Sequence, residues 1–261
     1  MAHIEINFIS ATFTRAVDVL LILPSRTTME GMKDQGKTLS THYQSVANKK
    51  FPLLILLHGM ANNFKTWANY ARVELYAEEH NIAIAMVSGE NKFYLNNGSD
   101  KWYDFIENEL KDYLYGTFPI SGDPKNNYIA GLSMGGFGAL YHGISNPKAY
   151  AAIGAFSGAI HIDDKAFNDM GLKVEFKPIP DLILKNKKDL PPLYVACGSD
   201  DFLYQANIDF TKFLDENKIN NYHEFVPGFT HEWRFWDLEL EKFLDWIPRN
   251  DDYKEVSKRK V

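Results

Sequence analysis

The sequence predicts an α/β protein in which helices cover both faces of a mainly parallel central sheet. Short apolar runs bounded by turn residues alternate with longer segments of helical periodicity, which is the order of βαβ units. The 261 residues show no repeat of fixed period and no linker, so we expect a single domain over residues 1–261. Hydrophobic residues make up 45% and charged residues 24% of the chain, which excludes a disordered chain and a coiled coil.

Apolar runs predict the first strands. Residues 4–9 and 16–23 have alternating or β-branched patterns and are predicted to be strands, the second ended by Pro24. Residues 25–50 are polar and are predicted to form an exposed excursion. The run PLLILL at 52–57 is continuously apolar, which is typical of a strand buried on both faces.

Helices and strands alternate over the rest of the chain. Asn62 and Asn63 precede apolar residues at helical spacing, so they are candidate caps for a helix at about 65–80. We expect further helices at about 100–115, from the glycine-rich turn to 145, at about 203–217 and at about 232–246. We expect further strands at 82–87, 128–130, 151–156, 193–197 and 222–226.

Two segments fall outside this alternation. Residues 158–190 lack a clear strand–helix period and carry Pro178, Pro180 and several lysines. In this fold class a long excursion beyond the carboxyl ends of the strands is usually a lid or a binding loop, so we expect a small lid insertion there. Residues 248–261 are predicted to be a charged C-terminal tail.

Charge and cysteine content exclude several classes of function. The net charge is −6, whereas proteins that bind phosphate backbones usually carry a basic excess, so we expect neither nucleic acid nor a membrane as a partner. The single cysteine, Cys197, cannot form an intrachain disulfide and is predicted to be a small core residue. The N-terminus lacks the pattern of a signal peptide, so we expect a cytoplasmic location. His161, Asp163 and Asp164 have no further converging ligands, so we expect no metal and no cofactor.

The stretch from Gly131 to Gly135 reads Gly-Leu-Ser-Met-Gly between a predicted strand and a predicted helix. A serine on a very tight strand-to-helix turn needs small residues two positions before and after it, because the backbones come close there. Such a turn exposes the serine hydroxyl at the positive end of the helix. Ser133 is therefore the candidate nucleophile, and the alternative is a glycine-rich helix entry without catalytic function.

A serine nucleophile needs a base, and the base needs a carboxylate that orients it. In α/β folds with this turn the chain order is serine, acid, histidine. Asp200 and Asp201 both follow the predicted strand 193–197, and either one is a candidate acid or a helix cap. His231 follows the last predicted strand and is the histidine with the right order and the right kind of loop.

The remaining histidines are predicted to lie outside the catalytic site or to have no catalytic role, with one alternative left open. His142 lies nine residues after Ser133 on the same predicted helix and is predicted to be packed. His161 lies in the lid segment, where a substrate contact is an open alternative. The predicted surface or strand-edge histidines are His3, His42, His80 and His223.

The loop His58-Gly59-Met60 follows the strand at 52–57. In hydrolases with this turn, that loop and the residue after the nucleophile donate backbone N–H groups to the oxyanion, which makes Met60 and Met134 the candidates. The alternative is a plain strand-ending turn. Many bulky side chains lie near these loops, and several of them are expected in the core. The candidate substrate contacts among them are Phe64, Trp102, Tyr103 and Trp233.

Four motifs together make the chain resemble α/β-hydrolases of the esterase D superfamily, of the tributyrin esterase type. They are HGM at 58–60, GLSMGGFGAL at 131–140, CGSDDFL at 197–203 and PGFTHEWRFW at 227–236. The resemblance covers about residues 4–246 and implies the α/β-hydrolase fold. It also implies a triad of Ser133, Asp201 and His231, with Met60 and Met134 lining the oxyanion hole.

The resemblance implies a serine carboxylesterase that cleaves short-chain acyl esters through an acyl-enzyme, with a small-molecule ester as its partner. Its alternatives are a thioesterase such as S-formylglutathione hydrolase, an acyltransferase, and a feruloyl or acetyl-xylan esterase. S-formylglutathione hydrolases usually carry histidine where this chain has Leu132, and cysteine in the loop where it has Ala61-Asn62-Asn63. A binding protein that keeps the fold without catalysis, and a homo-oligomer, stay open alternatives.

Overall fold

The computed structural model describes residues 1–25, 49–162, 164–174 and 176–254. Most of the predicted excursion at 25–50 lies outside the described residues, as do Asp163 and the end of the predicted tail. The strands are β1 (Ala2–Ser10), β2 (Arg15–Leu23), β3 (Leu53–Leu57), β4 (Ala83–Val87), β5 (Asn96–Asn97), β6 (Asp100–Lys101), β7 (Asn127–Leu132), β8 (Ala152–Phe156), β9 (Leu193–Gly198) and β10 (Asn221–Val226).

The helices alternate with these strands, and the last helix follows β10. They are α1 (Thr66–Tyr70), α2 (Val73–His80), α3 (Trp102–Asp104), α4 (Lys111–Thr117), α5 (Met134–Ser145), α6 (Asp164–Asp169), α7 (Ile179–Asn186), α8 (Tyr204–Glu216) and α9 (Trp233–Trp246). A π-helical segment, Phe105–Leu110, joins α3 to α4, and a short 3-10 turn, Pro124–Asn126, precedes β7. No helix among the described residues is long and apolar enough to cross a membrane.

Eight strands form one sheet in the order β1-β2-β4-β3-β7-β8-β9-β10, and β5 pairs with β6 alone. β1 and β2 are antiparallel to their neighbours, while β4, β3, β7, β8, β9 and β10 are parallel to one another. The predicted mainly parallel sheet is therefore confirmed. Since parallel strands point the same way, the carboxyl ends of these six strands share one edge.

Both faces of the sheet are covered. All five residues of β3 are buried, and neighbouring side chains point to opposite faces. Ile55 belongs to an apolar cluster with residues of α5, α7 and α8, whereas Leu56 belongs to a second cluster with residues of α1, α2 and α9. The continuous apolar run in the sequence thus reflects burial on both faces, as expected.

The helix predicted at 65–80 is two helices. The chain is extended at Ala71 between α1 and α2. Arg72 explains the break, because its backbone N–H donates to Asp237 Oδ1 at 2.8 Å and its guanidinium to Asp237 Oδ2 at 2.9 Å. Asn63, a candidate helix cap, forms a local turn instead, in which its Oδ1 accepts the N–H of Lys65 at 2.9 Å.

One further expectation needs correction, and one segment is more ordered than its sequence pattern indicated. His80, a predicted surface or strand-edge histidine, is buried, because α2 packs against α9 and brings His80 Nε2 to 3.5 Å from Asp245 Oδ1. The segment 158–190 contains α6 and α7, and the apolar side chains of Phe167, Leu182 and Ile183 are buried against the core. The described part of this segment therefore has helices packed against the core, which its irregular sequence pattern did not indicate, and the lid stays a prediction.

The π-helical segment carries a buried carboxylate. Glu107 accepts hydrogen bonds from His142 Nδ1 at 2.7 Å, Tyr150 Oη at 2.6 Å and Lys111 Nζ at 2.7 Å. His142 Nε2 lies 2.9 Å from the Tyr94 carbonyl oxygen. The His142 side chain is fully buried, so the prediction that it is packed is confirmed. Burial by itself raises the pKa of Glu107, but the hydrogen bonds and charges of His142 and Lys111 outweigh it and lower this pKa to about 2.

Glu107→Gln is expected to destabilise the fold by about 2–4 kcal/mol at neutral pH, because it leaves buried donors facing an amide. The native pKa of about 2 lies below the ordinary 4.5, so the carboxylate contributes its full stability above about pH 4.5 and loses it as the pH falls towards 2. The difference in the free energy of unfolding between wild type and variant should therefore become smaller at acid pH. Urea unfolding at neutral and acid pH measures both effects.

Glu216→Gln is the matched control, because Glu216 is exposed near the end of α8. We expect this variant to lie within about 0.5 kcal/mol of the wild type. A Glu107→Gln protein as stable as the wild type at neutral pH would contradict the role of this cluster.

Candidate active site

Ser133 lies between the end of β7 and the start of α5. Its backbone has φ 52° and ψ −115°, a left-handed conformation that is costly for a residue with a Cβ. The Ser133 N–H donates to the Phe156 carbonyl at 2.9 Å, and the Ser133 carbonyl accepts the N–H of Ala159 at 3.0 Å. The surrounding strands thus hold the strained turn in place, and the serine is partly exposed.

The glycines on either side of Ser133 are required by close backbone contacts. A Cβ on Gly131 would lie 2.4 Å from the Gly135 carbonyl oxygen, and a Cβ on Gly135 would lie 2.3 Å from the Leu57 carbonyl oxygen. Both distances are far shorter than carbon and oxygen tolerate. The steric reason expected for the Gly-x-Ser-x-Gly pattern is therefore visible at both positions.

Asp201 and His231 form a hydrogen-bonded pair. His231 Nδ1 lies 2.8 Å from Asp201 Oδ2, and since a carboxylate only accepts, Nδ1 carries the proton. Asp201 Oδ1 accepts the N–H of Leu203 at 2.8 Å. The Asp201 side chain is fully buried, whereas that of His231 is 21% exposed. The acid is thus shielded from water and the imidazole is reachable.

The pKa of Asp201 lies below its ordinary value. Burial raises it, but hydrogen bonds from His231, the Leu203 N–H and Ser157 together outweigh burial. The carboxylate therefore stays charged next to the imidazole, as an orienting acid must. The neighbouring Asp200 is exposed and accepts from its neighbour Ser199 at 2.7 Å, so it is Asp201 that the structure pairs with histidine.

The three candidate residues lie at one edge of the sheet. Ser133 follows β7, Asp201 follows β9, and His231 lies in the loop after β10. These strands are parallel, so their carboxyl ends share the edge where open α/β sheets bind ligands.

The loop His58-Gly59-Met60 borders the serine. A Cβ on Gly59 would lie 3.4 Å from Ser133 Cβ, which places the loop backbone directly beside the nucleophile turn. Met134 is the first residue of α5, where backbone N–H groups have no partner within the helix. Both candidate oxyanion donors thus belong to backbone segments that border Ser133.

Side chains that the sequence analysis did not assign to the site hold this loop. Trp67 Nε1 donates to the Leu57 carbonyl at 2.9 Å, and Tyr94 Oη donates to the His58 carbonyl at 2.8 Å. Asn91 Oδ1 accepts the N–H of Ala61 at 2.8 Å. Asn91 and Tyr94 lie 30 and 36 residues from the backbone groups that they hold, so no local pattern signals their role.

His58 and Cys197 do not serve as a second base or nucleophile. Burial lowers the pKa of His58 to about 4, so its ring is neutral. Both ring nitrogens are already used, because Nδ1 donates to the Gly59 carbonyl at 2.6 Å and Nε2 accepts the N–H of Gly89 at 2.9 Å. Burial raises the pKa of Cys197 to about 12, so it remains a thiol. No group of three or more potential metal ligands lies together among the described residues.

The candidate substrate residues separate into two groups. The Trp233 ring packs on Trp236, which contacts the His231 ring at 4.8 Å, so Trp233 lies near the site. Phe64 is partly buried in the same apolar cluster, a few residues after the loop at 58–60. Trp233 and Phe64 therefore stay candidates for contact with the substrate.

Trp102 and Tyr103 are not brought to the serine. The Trp102 ring is buried against Phe13, 4.6 Å away. The Tyr103 hydroxyl accepts a hydrogen bond from Asn146 Nδ2 at 2.6 Å, and Asn146 follows the last residue of α5. The 12 residues of α5 separate Asn146 from Ser133 by about 18 Å, because each helical residue advances the chain by about 1.5 Å. The Trp102 ring is therefore part of the core, and the partly buried Tyr103 ring lies at the far end of α5.

Comparison with known proteins agrees with this geometry. The Esterase family model matches residues 38–247. An acetyl esterase of Caldicellulosiruptor saccharolyticus is 31% identical over 97% of this chain and 100% of its own length.

Two solved structures from Staphylococcus aureus are also similar. Substrate-bound FphF, a fluorophosphonate-binding serine hydrolase, is 27% identical with a TM-score of 0.79, over 95% of this chain and 99% of its own. The S-formylglutathione hydrolase FrmB, as apoenzyme, is 26% identical with a TM-score of 0.74, over 94% of this chain and 98% of its own. The serine turn, the sheet order and these similarities together show that the chain belongs to the Esterase family and is a serine carboxylesterase of the α/β-hydrolase fold, of the esterase D type.

Proposed function

We propose that this protein hydrolyses short-chain acyl esters with Ser133 as nucleophile, His231 as base and Asp201 as the acid that orients the histidine. The observation that carries the proposal is the 2.8 Å contact between His231 Nδ1 and the buried Asp201 carboxylate, at the same sheet edge as the strained serine. Since Nδ1 is held by the acid, Nε2 is left to take the serine proton.

The reaction follows from these roles in two halves. Ser133 Oγ attacks the ester carbonyl carbon while its proton moves to His231 Nε2, and the tetrahedral intermediate collapses as His231 returns the proton to the leaving alcohol. Water then attacks the acyl-enzyme, giving its proton to His231, and the carboxylic acid leaves as the Ser133 hydroxyl is restored. The N–H groups of Met60 and Met134 are the proposed donors to the oxyanion in both halves.

Large aromatic rings beside the histidine support a short acyl group. Phe202 is 77% exposed and its ring lies 4.6 Å from that of His231, while Trp236 contacts the same imidazole edge-on. Trp233 packs against Trp236 in turn. Large rings around the base restrict the volume beside it, and the similar acetyl esterase points to the same size of acyl group.

A thioesterase of the S-formylglutathione hydrolase type is the second candidate, because FrmB is similar over almost the whole chain. Leu132 disfavours it. This side chain is buried, and a Cβ on Gly59 would lie 2.6 Å from Leu132 Cδ1, so an apolar group packs under the loop where those hydrolases usually carry histidine. An ester substrate is therefore the preferred proposal.

Ser133→Ala is expected to lower turnover of p-nitrophenyl acetate by at least about a thousandfold and to abolish labelling by a fluorophosphonate probe. Alanine fits the turn, so the fold should be retained. Ser145→Ala, at the other end of α5, is the control and should keep both activity and labelling. Labelling of the Ser133→Ala protein would refute the nucleophile.

Asp201→Asn should lower kcat by about a thousandfold or more, because the amide removes the charge that stabilises the imidazolium. Asp200→Asn is the matched neighbour and should stay within about threefold of wild type, since Asp200 is exposed. Steady-state kinetics of the two folded variants measure the ranking. The reverse ranking would move the role of the acid to Asp200.

The acyl preference is expected to lie at about two to six carbons, with a steep fall beyond. Each methylene that fits a pocket contributes about 0.8 kcal/mol, whereas one that meets a rigid wall costs more. The measurement is kcat/KM for p-nitrophenyl esters from acetate to palmitate, below their micellar concentrations. A maximum of kcat/KM at acyl chains of about eight carbons or more would show a deep pocket and contradict the hypothesis that the aromatic rings limit the acyl length.

A further inference from the structure

Tyr94 lies in the loop after β4 and packs against the nucleophile helix. Its side chain is fully buried, and its ring atoms lie 2.2 Å from the Cβ that Gly89 would carry and 2.6 Å from the one that Gly138 of α5 would carry. The ring therefore occupies a space that exists only because both positions are glycine. Tyr94 itself has φ 60°, a left-handed conformation that is costly for a residue with a Cβ. A ring so confined fixes the position of its hydroxyl oxygen.

The Tyr94 hydroxyl holds the loop His58-Gly59-Met60. Its Oη donates to the His58 carbonyl oxygen at 2.8 Å, and burial raises the pKa of Tyr94, so the hydroxyl keeps the proton that it donates. The same carbonyl oxygen would lie 2.7 Å from a Cβ on Gly135, near the start of α5. The hydrogen bond thus holds the loop at the place where it meets the nucleophile helix.

His58 links this carbonyl to the peptide unit that carries the Met60 N–H. The Gly89 N–H donates to His58 Nε2 at 2.9 Å, so the proton of the neutral ring is on Nδ1, which donates to the Gly59 carbonyl oxygen at 2.6 Å. That carbonyl and the Met60 N–H belong to one planar peptide unit. No described residue has a cis peptide bond, so the two groups point in opposite directions. The direction of the Met60 N–H therefore depends on where His58 is held.

We propose that Tyr94 is a positioning residue that holds the loop at 58–60 so that the Met60 N–H points at the oxyanion. The inference rests on the proposed function, in which Met60 is an oxyanion donor. Such a donor stabilises the transition state from about 2.7–3.1 Å, so a small shift of the loop weakens it. Without the Tyr94 hydroxyl, the buried His58 carbonyl loses this donor, and the loop is no longer fixed against α5.

Tyr94→Phe removes the hydroxyl and keeps the ring that fills the space between Gly89 and Gly138. The Tyr94 carbonyl oxygen still lies 2.9 Å from His142 Nε2, so the backbone stays held and the fold should be retained. We expect kcat for p-nitrophenyl acetate to fall by about 10- to 100-fold while KM stays within about twofold, because the oxyanion forms only after the substrate is bound. Binding of trifluoroacetone, which adds to an active-site serine as an oxyanion, should weaken by a similar factor.

Tyr128→Phe is the matched control. Tyr128 is also fully buried, and its hydroxyl donates to the Pro248 carbonyl at 2.6 Å near the amino end of β7, at the edge of the sheet opposite Ser133. Each variant loses one buried hydroxyl that donates to a backbone carbonyl, so both should lose stability. Tyr128→Phe should nevertheless keep kcat within about twofold of the wild type. Kinetics are measured at a temperature at which circular dichroism shows all three proteins folded.

A merely structural role for Tyr94 would make activity follow stability, so that the two variants lose kcat equally. That result overturns the proposal, as does a Tyr94→Phe protein within about threefold of wild-type kcat. Unchanged binding of trifluoroacetone by Tyr94→Phe also overturns it, because the hydroxyl then has no effect on the oxyanion. Provided that activity still requires Ser133, the proposed ester hydrolysis is unaffected by these results.

Discussion

The close approach of α5 to the end of β3 is the constraint on which the site depends. A Cβ on Gly135 would lie 2.3 Å from the Leu57 carbonyl oxygen, so only hydrogen fits between the two backbones. The same approach brings Gly59 beside Ser133. Because the separation is set by backbone contact and not by a deformable side chain, the serine, the helix N-terminus and the candidate oxyanion loop form one rigid unit.

Aromatic residues with a polar tip hold the parts of this unit from within the core. Trp67 and Tyr94 donate to the carbonyls of Leu57 and His58, and Trp236 donates to Ser157. Each ring buries a large apolar surface and aims one donor at the carboxyl edge of the sheet. The high aromatic content of the chain, 14%, therefore serves the geometry of the site as well as the core.

The sequence predicted the features that depend on neighbouring residues, and it did not predict those that depend on contacts between distant parts of the chain. Continuous apolar runs predicted the buried strands, and the glycine spacing predicted the turn at Ser133, because both depend on neighbouring residues. The break before Arg72 depends on Asp237, 165 residues away, and no helical pattern contains it. Asp200 and Asp201 are adjacent and chemically alike, so the motif resemblance favoured Asp201 but only the fold showed which carboxylate faces His231.

Backbone strain in this molecule is concentrated where the site lies. Among the described non-glycine residues, those with positive φ after the carboxyl ends of β3, β4, β7 and β8 are Ala61, Glu90, Phe93, Tyr94, Ser133 and Ser157. Each such conformation costs on the order of 1–3 kcal/mol, so together they oppose folding by an amount comparable to the net stability of a domain. They persist because the strands below are buried on both faces and hydrogen bonds hold the turns, as Ser133 is held by Phe156 and Ala159. The core thus stabilises an edge that would not keep this shape alone, and that edge presents the serine, the acid and the histidine together.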